Sequence, residues 1–168
     1  NHQGVIVRLN DDGTVPTDNP FVGQSNMLPE IWSYGHRSPQ GLAIHPETGD
    51  LWESEHGPQG GDEINRIEPG NNYGWPIVGR GANYGAFGRP IHIGISEEGM
   101  VQPEQFWVPS IATSGLMVYN GDKFPMWYGN IFWFEIEREI CGDMEKFRRW
   151  ALKKGTNWCS SYFVHETP

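Results

Sequence analysis

A loop that carries an arginine is the first stretch of the sequence with clear chemical potential. Arg37 follows His36 and precedes Ser38, between a glycine and a proline. A planar guanidinium suits a carboxylate or quinone oxygen, because its N–H groups form a rigid fork of donors. Most arginines have no such role, so a surface position or a structural ion pair is the alternative. Arg37 is therefore a candidate group for binding an anionic or quinone ligand.

A second loop offers oxygen ligands for a hard cation. Residues 55–58, with the sequence EHGP, can end a strand and expose backbone carbonyls. Asp62 and Glu63 add two carboxylates a few residues later. Calcium prefers carbonyl and carboxylate oxygens, although this spacing differs from that of an EF-hand loop. The segment predicts a calcium site, with a solvated acidic turn as the alternative.

Histidines and aromatic residues in the same segment add further candidates. His36 and His56 can act as general bases near neutral pH, although a loop histidine is more often a plain hydrogen-bonding group. Aromatic side chains can stack on a flat ligand or pack between strands. The aromatic candidates are Trp32, Trp52, Tyr73, Trp75 and Tyr84.

Short strands must hold these loops in place. Apolar alternation and glycine or proline turns predict strands at 4–10, 31–34, 41–46, 50–54, 63–67 and 114–120, and a further strand beginning at 129–132. A strand about every 10 residues is typical of successive strands in propeller blades. Residues 70–106 are predicted to be mostly loop, and a loop this long in a compact domain is usually functional. The chain is therefore predicted to be all-β.

Composition and charge exclude several classes of protein. The formal net charge is −9, whereas a nucleic-acid backbone calls for clustered lysine and arginine. No apolar run approaches the length of about 18 residues that a membrane span needs. Disorder is excluded by 8 Trp and 8 Phe. A globular protein without a nucleic-acid partner or a membrane span is predicted.

The character of the sequence changes after residue 134. Residues 135–154 contain half of all lysines and arginines, and their apolar residues recur at helical spacing. Taken alone, this stretch predicts an amphipathic helix. The remaining residues, 155–168, show no legible period. The predicted organisation is a β-domain at 1–134 and an atypical tail at 135–168.

Several motifs together resemble one known family. GHRSPQGLAIHP, SEHGPQGGDEIN and GNNYGWP resemble motifs of the soluble PQQ-dependent aldose sugar dehydrogenases, the glucose/sorbosone dehydrogenase family of six-bladed β-propellers. RLNDDGTVPTDNPF and PSIATSGLMVYNGDKFPMWYGNIF fit the same family. The resemblance runs from about residue 4 to residue 132 and implies a partial six-bladed propeller of about two to three blades.

The resemblance assigns cofactor contacts by position. Arg37 and Ser38 would contact the quinone, although the family usually has asparagine where Ser38 stands. Gly57 and Pro58 stand where relatives offer carbonyls to the calcium that bridges to PQQ, and Tyr84 matches a cofactor-contacting tyrosine. PQQ carries several carboxylates and planar rings, so an arginine, a divalent cation and flat neighbours suit it.

The resemblance also implies a structural calcium and a reaction. Glu63 and Tyr73 match the positions that hold this calcium, Tyr73 through its backbone carbonyl. The implied reaction oxidises an aldose sugar at C1 to a lactone and passes electrons through PQQ to an acceptor. The family's catalytic histidine lies on an earlier blade and matches neither His36 nor His56. No catalytic residue is therefore assigned here, and this chain alone is expected to lack the base and to be inactive.

The tail departs from the family pattern. After residues 129–132 the family strand continues with small residues, leucine and a cofactor-contacting lysine, whereas this chain continues with Trp133 and Phe134. The late arginine-rich family motif is absent from this sequence. The abrupt change suggests a frameshifted or mispredicted end, and an intact reading frame through residue 168 at the resequenced locus would contradict that hypothesis.

Two other functions remain open at this point. One is a calcium-dependent propeller hydrolase of the lactonase type, against which Arg37 beside the 55–63 loop argues. The other is a non-enzymatic propeller that binds calcium or sugar without a quinone. The resemblance implies a periplasmic or secreted setting.

Overall fold

The computed structural model describes residues 1–84, 91–135 and 162–165, and these residues fold into antiparallel β-sheets. A short 3₁₀ helix, Pro125–Trp127, precedes the eighth strand. The strands are β1 (Val5–Val7), β2 (Ile31–Tyr34), β3 (Pro39–Ile44), β4 (Leu51–Glu55), β5 (Asp62–Ile67), β6 (Gln105–Trp107), β7 (Thr113–Val118), β8 (Ile131–Glu135) and β9 (Tyr162–His165).

The strands form three sheets that follow one another along the chain. The first sheet contains β1 and β2, the second has the order β3-β4-β5-β6, and the third has the order β7-β8-β9. All strand pairs are antiparallel, and neighbours in sequence are neighbours in space. A four-stranded up-and-down sheet such as the second is the repeating unit of a β-propeller blade.

Apolar side chains fill the space between successive sheets. One cluster joins the second sheet to the third and contains Ile64, Ile111, Leu116, Val118, Ile131 and Trp133. A smaller cluster joins the first sheet to the second and contains Ile6, Ile67 and Tyr73. Gly41 of β3 lies so close to the backbone of Leu116 that a Cβ at this position would overlap the Leu116 nitrogen. Glycine is therefore required where the second and third sheets approach each other.

Most of the predicted strands are confirmed, with shifted ends. β2 has the predicted bounds, and β3 to β5, β7 and β8 overlap their predictions within a few residues. The strand predicted at 4–10 is shorter, because after Val7 the backbone leaves regular pairing and turns back between Asn10 and Thr14. The predicted loop at 70–106 is confirmed for its described residues, apart from isolated bridges and the start of β6 at Gln105.

The tail is described only in part. Glu135, the first residue of the predicted helix, is the last residue of β8, and residues 136–154 lie outside the described residues. The stretch without a legible period contains β9, which pairs with β8. Local pattern missed this strand because a partner strand supplies its hydrogen bonds. The domain boundary between 134 and 135, and the hypothesis of a frameshifted end, stay predictions.

In the part of the chain described above, no helix is both long enough and apolar enough to cross a bilayer.

Candidate functional site

The loop after β2 is fastened to the end of β4 by a buried carboxylate. The backbone N–H groups of Arg37 and Ser38 donate to Oε2 of Glu55, at 2.7 and 3.1 Å. Gly35, at the start of this loop, has a φ of 79°, and a Cβ there would overlap the side chain of Asn72. The glycine therefore allows the close turn, and Glu55 sets the direction in which Arg37 leaves the backbone.

The Arg37 guanidinium joins the two loops that the sequence singled out. Its Nη1 donates to the carbonyl oxygens of His56 and Gly57, at 3.0 and 3.1 Å. Its Cζ lies 5.3 Å from the ring centroid of Trp75, close enough for a cation–π contact. A guanidinium has five N–H donors, and Arg37 uses one nitrogen in these contacts. Donors therefore remain for a ligand.

The remaining predicted cofactor residues lie beside Arg37, with one exception. Arg37, Gly57 and Pro58 line one small cavity, and the Tyr84 hydroxyl donates to the Pro58 carbonyl at 2.5 Å. The Tyr84 side chain is otherwise exposed. Ser38 does not line this cavity, and its hydroxyl accepts a hydrogen bond from the Gln40 side chain. The structure thus brings four of the five predicted cofactor residues together.

The loop that carries Gly57 and Pro58 is held by Asp62. This fully buried carboxylate accepts hydrogen bonds from the Gly57 N–H at 2.9 Å and from the Ser110 hydroxyl at 2.8 Å. It also accepts from the N–H groups of Ile111 and Thr113, at 3.0 and 3.3 Å. The sequence proposed Asp62 as an additional cation ligand. Its oxygens are occupied by these donors, so its observed role is to fix the loop.

The two predicted calcium ligands, Glu63 and Tyr73, line the same small cavity. The Glu63 carboxylate lies 3.8 Å from Nη1 of Arg80. The Tyr73 hydroxyl donates to the Arg66 carbonyl at 2.7 Å and accepts from the Glu68 N–H at 2.9 Å. The hydroxyl of Tyr73 is therefore already used in two hydrogen bonds. If Tyr73 provides a ligand for a cation, that ligand has to be its backbone carbonyl, as the resemblance implies.

A group of polar residues is buried on one face of β4 and β5, and sequence reasoning named Glu55 and Glu63 of this group but missed Glu53 and Asn65. Glu53 lies opposite Asn65, and Glu55 lies opposite Glu63 in the β4–β5 pair. Asn65 Nδ2 donates to Glu53 Oε2 at 3.1 Å and to Glu55 Oε1 at 3.4 Å. Residues two apart on a strand share a face. The available signal in the sequence was a pair of polar residues two positions apart in each strand, Glu53 and Glu55 in β4 and Glu63 and Asn65 in β5.

Burial dominates the titration of these groups. Burial raises the pKa of Glu53, and the charge of Glu55 raises it further. Burial also raises the pKa of Glu55, although N–H donors from Arg37 and Ser38 act in the opposite direction. Burial raises the pKa of Glu63 to about 8, with Glu55 adding to the effect and Arg80 opposing it. A divalent cation beside these carboxylates would favour their charged forms.

His36 is buried and cannot meet a sugar. It is 1% exposed, its ring stacks on Tyr73 with centroids 4.6 Å apart, and its Nε2 lies 2.8 Å from the Ser33 hydroxyl oxygen. Burial lowers its pKa to about 4, so the ring is neutral at pH 7. This geometry argues against His36 as the base for a sugar hydroxyl. The family resemblance implies the same, because the catalytic histidine of the family does not match His36.

Comparison with known proteins identifies the family. The sequence profile described as Glucose / Sorbosone dehydrogenase matches residues 1–145. The chain belongs to this family. Aldose sugar dehydrogenase YliI of Escherichia coli is 50% identical over 130 residues, which are 77% of this chain and 35% of that protein. This glucose/sorbosone dehydrogenase family member thus spans about a third of the length of that curated relative.

Solved structures agree with the family assignment. A crystal structure of a glucose dehydrogenase matches with a TM-score of 0.75 and 49% identity, over 79% of this chain and 38% of that chain. The PQQ-bound form of an aldose sugar dehydrogenase from Streptomyces coelicolor matches with a TM-score of 0.54 and 26% identity, over 96% of this chain and 39% of that one. These matches confirm the predicted partial propeller.

Proposed function

We propose that this glucose/sorbosone dehydrogenase family chain is part of a quinoprotein that oxidises aldose sugars at C1 to lactones, with PQQ and calcium. One observation carries the proposal. Arg37, Gly57 and Pro58 line one small cavity, which Glu63 also lines, and the Arg37 guanidinium donates to the Gly57 carbonyl. A cationic fork beside carbonyl and carboxylate oxygens suits an anionic planar ligand bound through a hard cation.

The donor set fits both groups chemically. Carbonyl oxygens of Gly57 and Pro58 would hold the calcium that contacts PQQ, and a carbonyl has two lone pairs, so it can also keep its hydrogen bond from Arg37 or Tyr84. Glu63 and the Tyr73 carbonyl would hold a second, structural calcium. Arg37, Ser38 and Tyr84 would contact PQQ. When bound, PQQ supplies the two-electron acceptor for the hydride from the sugar.

The chain's own residues set the geometry of this site. Glu55 holds the backbone of Arg37 and Ser38, and Asp62 holds the loop that presents the two carbonyls. Arg37 would bind ligand carboxylates and stabilise negative charge on quinone oxygens. Trp75 lies beside the guanidinium, within the distance of a cation–π contact. Preorganised donors of this kind act without a reorganisation cost at the moment of reaction.

The remaining parts of the proposal concern partners and setting. The substrate would be a small aldose, and the electrons would leave to a separate acceptor. The similarity to sugar dehydrogenases supports a periplasmic or secreted location. We assign no residue of this chain as the base that takes the C1 hydroxyl proton, and without such a base the chain by itself would bind the cofactor without turnover.

The proposal is tested by titrating PQQ into the chain in calcium buffer and recording its absorption spectrum. Arg37→Lys keeps the positive charge but removes the planar set of guanidinium donors. Arg66→Lys is the matched control, because Arg66 is partly exposed and forms surface ion pairs. Hydrogen bonds to charged groups contribute about 1.5–3 kcal/mol, and 1.4 kcal/mol is a factor of about ten in affinity. Arg37→Lys should therefore weaken binding at least about tenfold, and Arg66→Lys should not change it.

Other results of this titration, and of two further assays on the same chain, would contradict the proposal. Calcium binding without any quinone spectrum would favour the non-enzymatic binding propeller. Hydrolysis of lactones in the absence of PQQ would favour the hydrolase. Equal binding by both variants would remove Arg37 from the cofactor site. An aldose added to the PQQ-loaded chain should leave the spectrum oxidised, and its reduction would show that a base is present after all.

A further inference from the structure

A second group of potential metal ligands lies beneath the loop that carries Arg37. His36, Glu53 and Glu55 are all buried, and one ligand atom from each lies within 4.8 Å of the other two. The ligand atoms of a tetrahedral Zn²⁺ lie about 3.4 Å from one another, from bond lengths of about 2.1 Å. The separations between these three side chains would therefore have to shorten by up to about 1.4 Å for all three to contact a single ion.

The hydrogen bonds leave ligand atoms available in this cluster. His36 Nε2 lies 2.8 Å from Ser33 Oγ, whereas His36 Nδ1 has no hydrogen-bond partner among the described residues. If the Nε2–H donates to Ser33, Nδ1 carries a free lone pair, which is the arrangement found in metal-binding histidines. Within the same described residues, Glu53 Oε1 also has no partner. Two of the three residues in the cluster, both at most 1% exposed, thus carry an unpartnered polar atom.

A bound cation would stabilise the charged forms of the carboxylates that are buried in this region. Two carboxylates, Glu53 and Glu55, share the buried face of β4, and Glu63 faces Glu55 from β5. Burying a charge without a partner costs far more free energy than burying a paired one. Among the residues that the structure describes, neither Glu53 nor Glu55 forms an ion pair with a lysine or arginine, and Arg80 pairs with Glu63 instead.

We propose that His36, Glu53 and Glu55 form a binding site for a first-row transition-metal ion, of the class of Zn²⁺. An imidazole nitrogen favours such ions over calcium, which takes oxygen ligands. This site is separate from the calcium ligands proposed above, which are the carbonyls of residues 57 and 58, Glu63 and the Tyr73 carbonyl. Glu55 would link the two regions, because its Oε2 also accepts hydrogen bonds from the backbone N–H groups of Arg37 and Ser38.

The site is tested by isothermal titration of ZnCl₂ into the full chain in a buffer that contains excess CaCl₂ and no PQQ. Glu53→Gln keeps the side-chain size and an acceptor for Asn65 but removes the charge. Glu104→Gln, at an exposed position, is the matched control. We expect one Zn²⁺ site in the unmodified chain and in Glu104→Gln, with affinity at least tenfold lower in Glu53→Gln. Equal affinity in both variants, or no Zn²⁺ binding at all, would overturn the proposal.

A second measurement is independent of whether Glu53→Gln folds. X-ray absorption at the zinc edge of the Zn²⁺-loaded chain should show one imidazole nitrogen with oxygen ligands in the remaining positions. A spectrum without imidazole, or with several imidazoles from surface histidines, would refute the site. Neither measurement uses the quinone, and calcium is constant throughout. Failure of the zinc site would therefore leave the PQQ titration unaffected, and the converse also holds.

Discussion

Replacing Asp62 with asparagine tests whether one buried carboxylate organises the loop of Gly57 and Pro58. Oδ1 of Asp62 accepts from the Gly57 N–H and from the Ser110 hydroxyl, and Oδ2 accepts from Ser110 and from the N–H groups of Ile111 and Thr113. An asparagine offers one acceptor oxygen, and its amide N–H₂ donates. The N–H₂ group of the asparagine would then face a backbone N–H group, and neither of these two donors could accept a hydrogen bond from the other.

The size of the effect follows from these contacts. If the asparagine oxygen faces Ile111 and Thr113, the buried Gly57 N–H loses its acceptor. If it faces Gly57, two N–H groups lose theirs. A buried donor left without an acceptor costs about 1–3 kcal/mol, so we expect Asp62→Asn to lower the free energy of unfolding by about 2–4 kcal/mol. This is a large fraction of a total stability of about 5–15 kcal/mol.

The assay is urea unfolding followed by tryptophan fluorescence, with Asp122→Asn at an exposed turn position as the control. Exposed substitutions usually change stability by less than about 0.5 kcal/mol, so the control should unfold with the unmodified chain. The midpoint for Asp62→Asn should fall with little change in the slope. Coincident midpoints for Asp62→Asn and Asp122→Asn would refute the assignment of Asp62 as the residue that holds this loop.

Two further predictions concern the proposed calcium ligands. Burial raises the pKa of the Glu63 carboxyl to about 8. Between pH 4.5 and pH 8, this carboxyl is therefore protonated in the folded chain but ionised in the unfolded chain. In chelator, protonated Glu63 should contribute up to about 4–5 kcal/mol of stability that is lost as the pH rises from 4.5 to 8, in addition to the contributions of Glu53 and Glu55. Glu63→Gln should reduce the dependence of stability on pH by about this amount. The same pH dependence in Glu63→Gln would contradict the prediction. Tyr73→Phe should cost about 1–2 kcal/mol in urea unfolding, because the Glu68 N–H loses its acceptor. Calcium affinity measured by titration should not change in Tyr73→Phe, and a tenfold loss would show that the phenol is a ligand.

Strand positions were largely readable from the sequence because the signal is local. In β2, side-chain burial alternates from residue to residue, and such a pattern between turn residues marks a strand without reference to any partner. β9 was missed because its stretch has no period of its own, and it takes its register from β8. β6, a strand of three residues inside a long loop region, likewise depends on pairing with β5.

The candidate site was only partly readable from the sequence. Residue types in two short loops indicated Arg37, Gly57 and Pro58, because a guanidinium fork and exposed carbonyls have a chemistry that does not depend on distant residues. The sequence did not show that the Arg37 side chain would bond to the 56–57 carbonyls, or that the Ser38 hydroxyl would turn to Gln40. Those choices depend on how the two loops approach each other.

The amino-acid sequence by itself determined the strand-rich character of this protein, the position of its turns and the types of ligand atoms near Arg37. Tertiary structure decided which of those atoms meet. The β4–β5 register places Glu53, Glu55 and Asn65 on one buried face, and packing of the first sheet brings His36 to them. Asp62 bonds to residues 110–113, which are about fifty positions away in the chain. Such contacts arise from the summed packing of whole sheets, so no local pattern of residues encodes them.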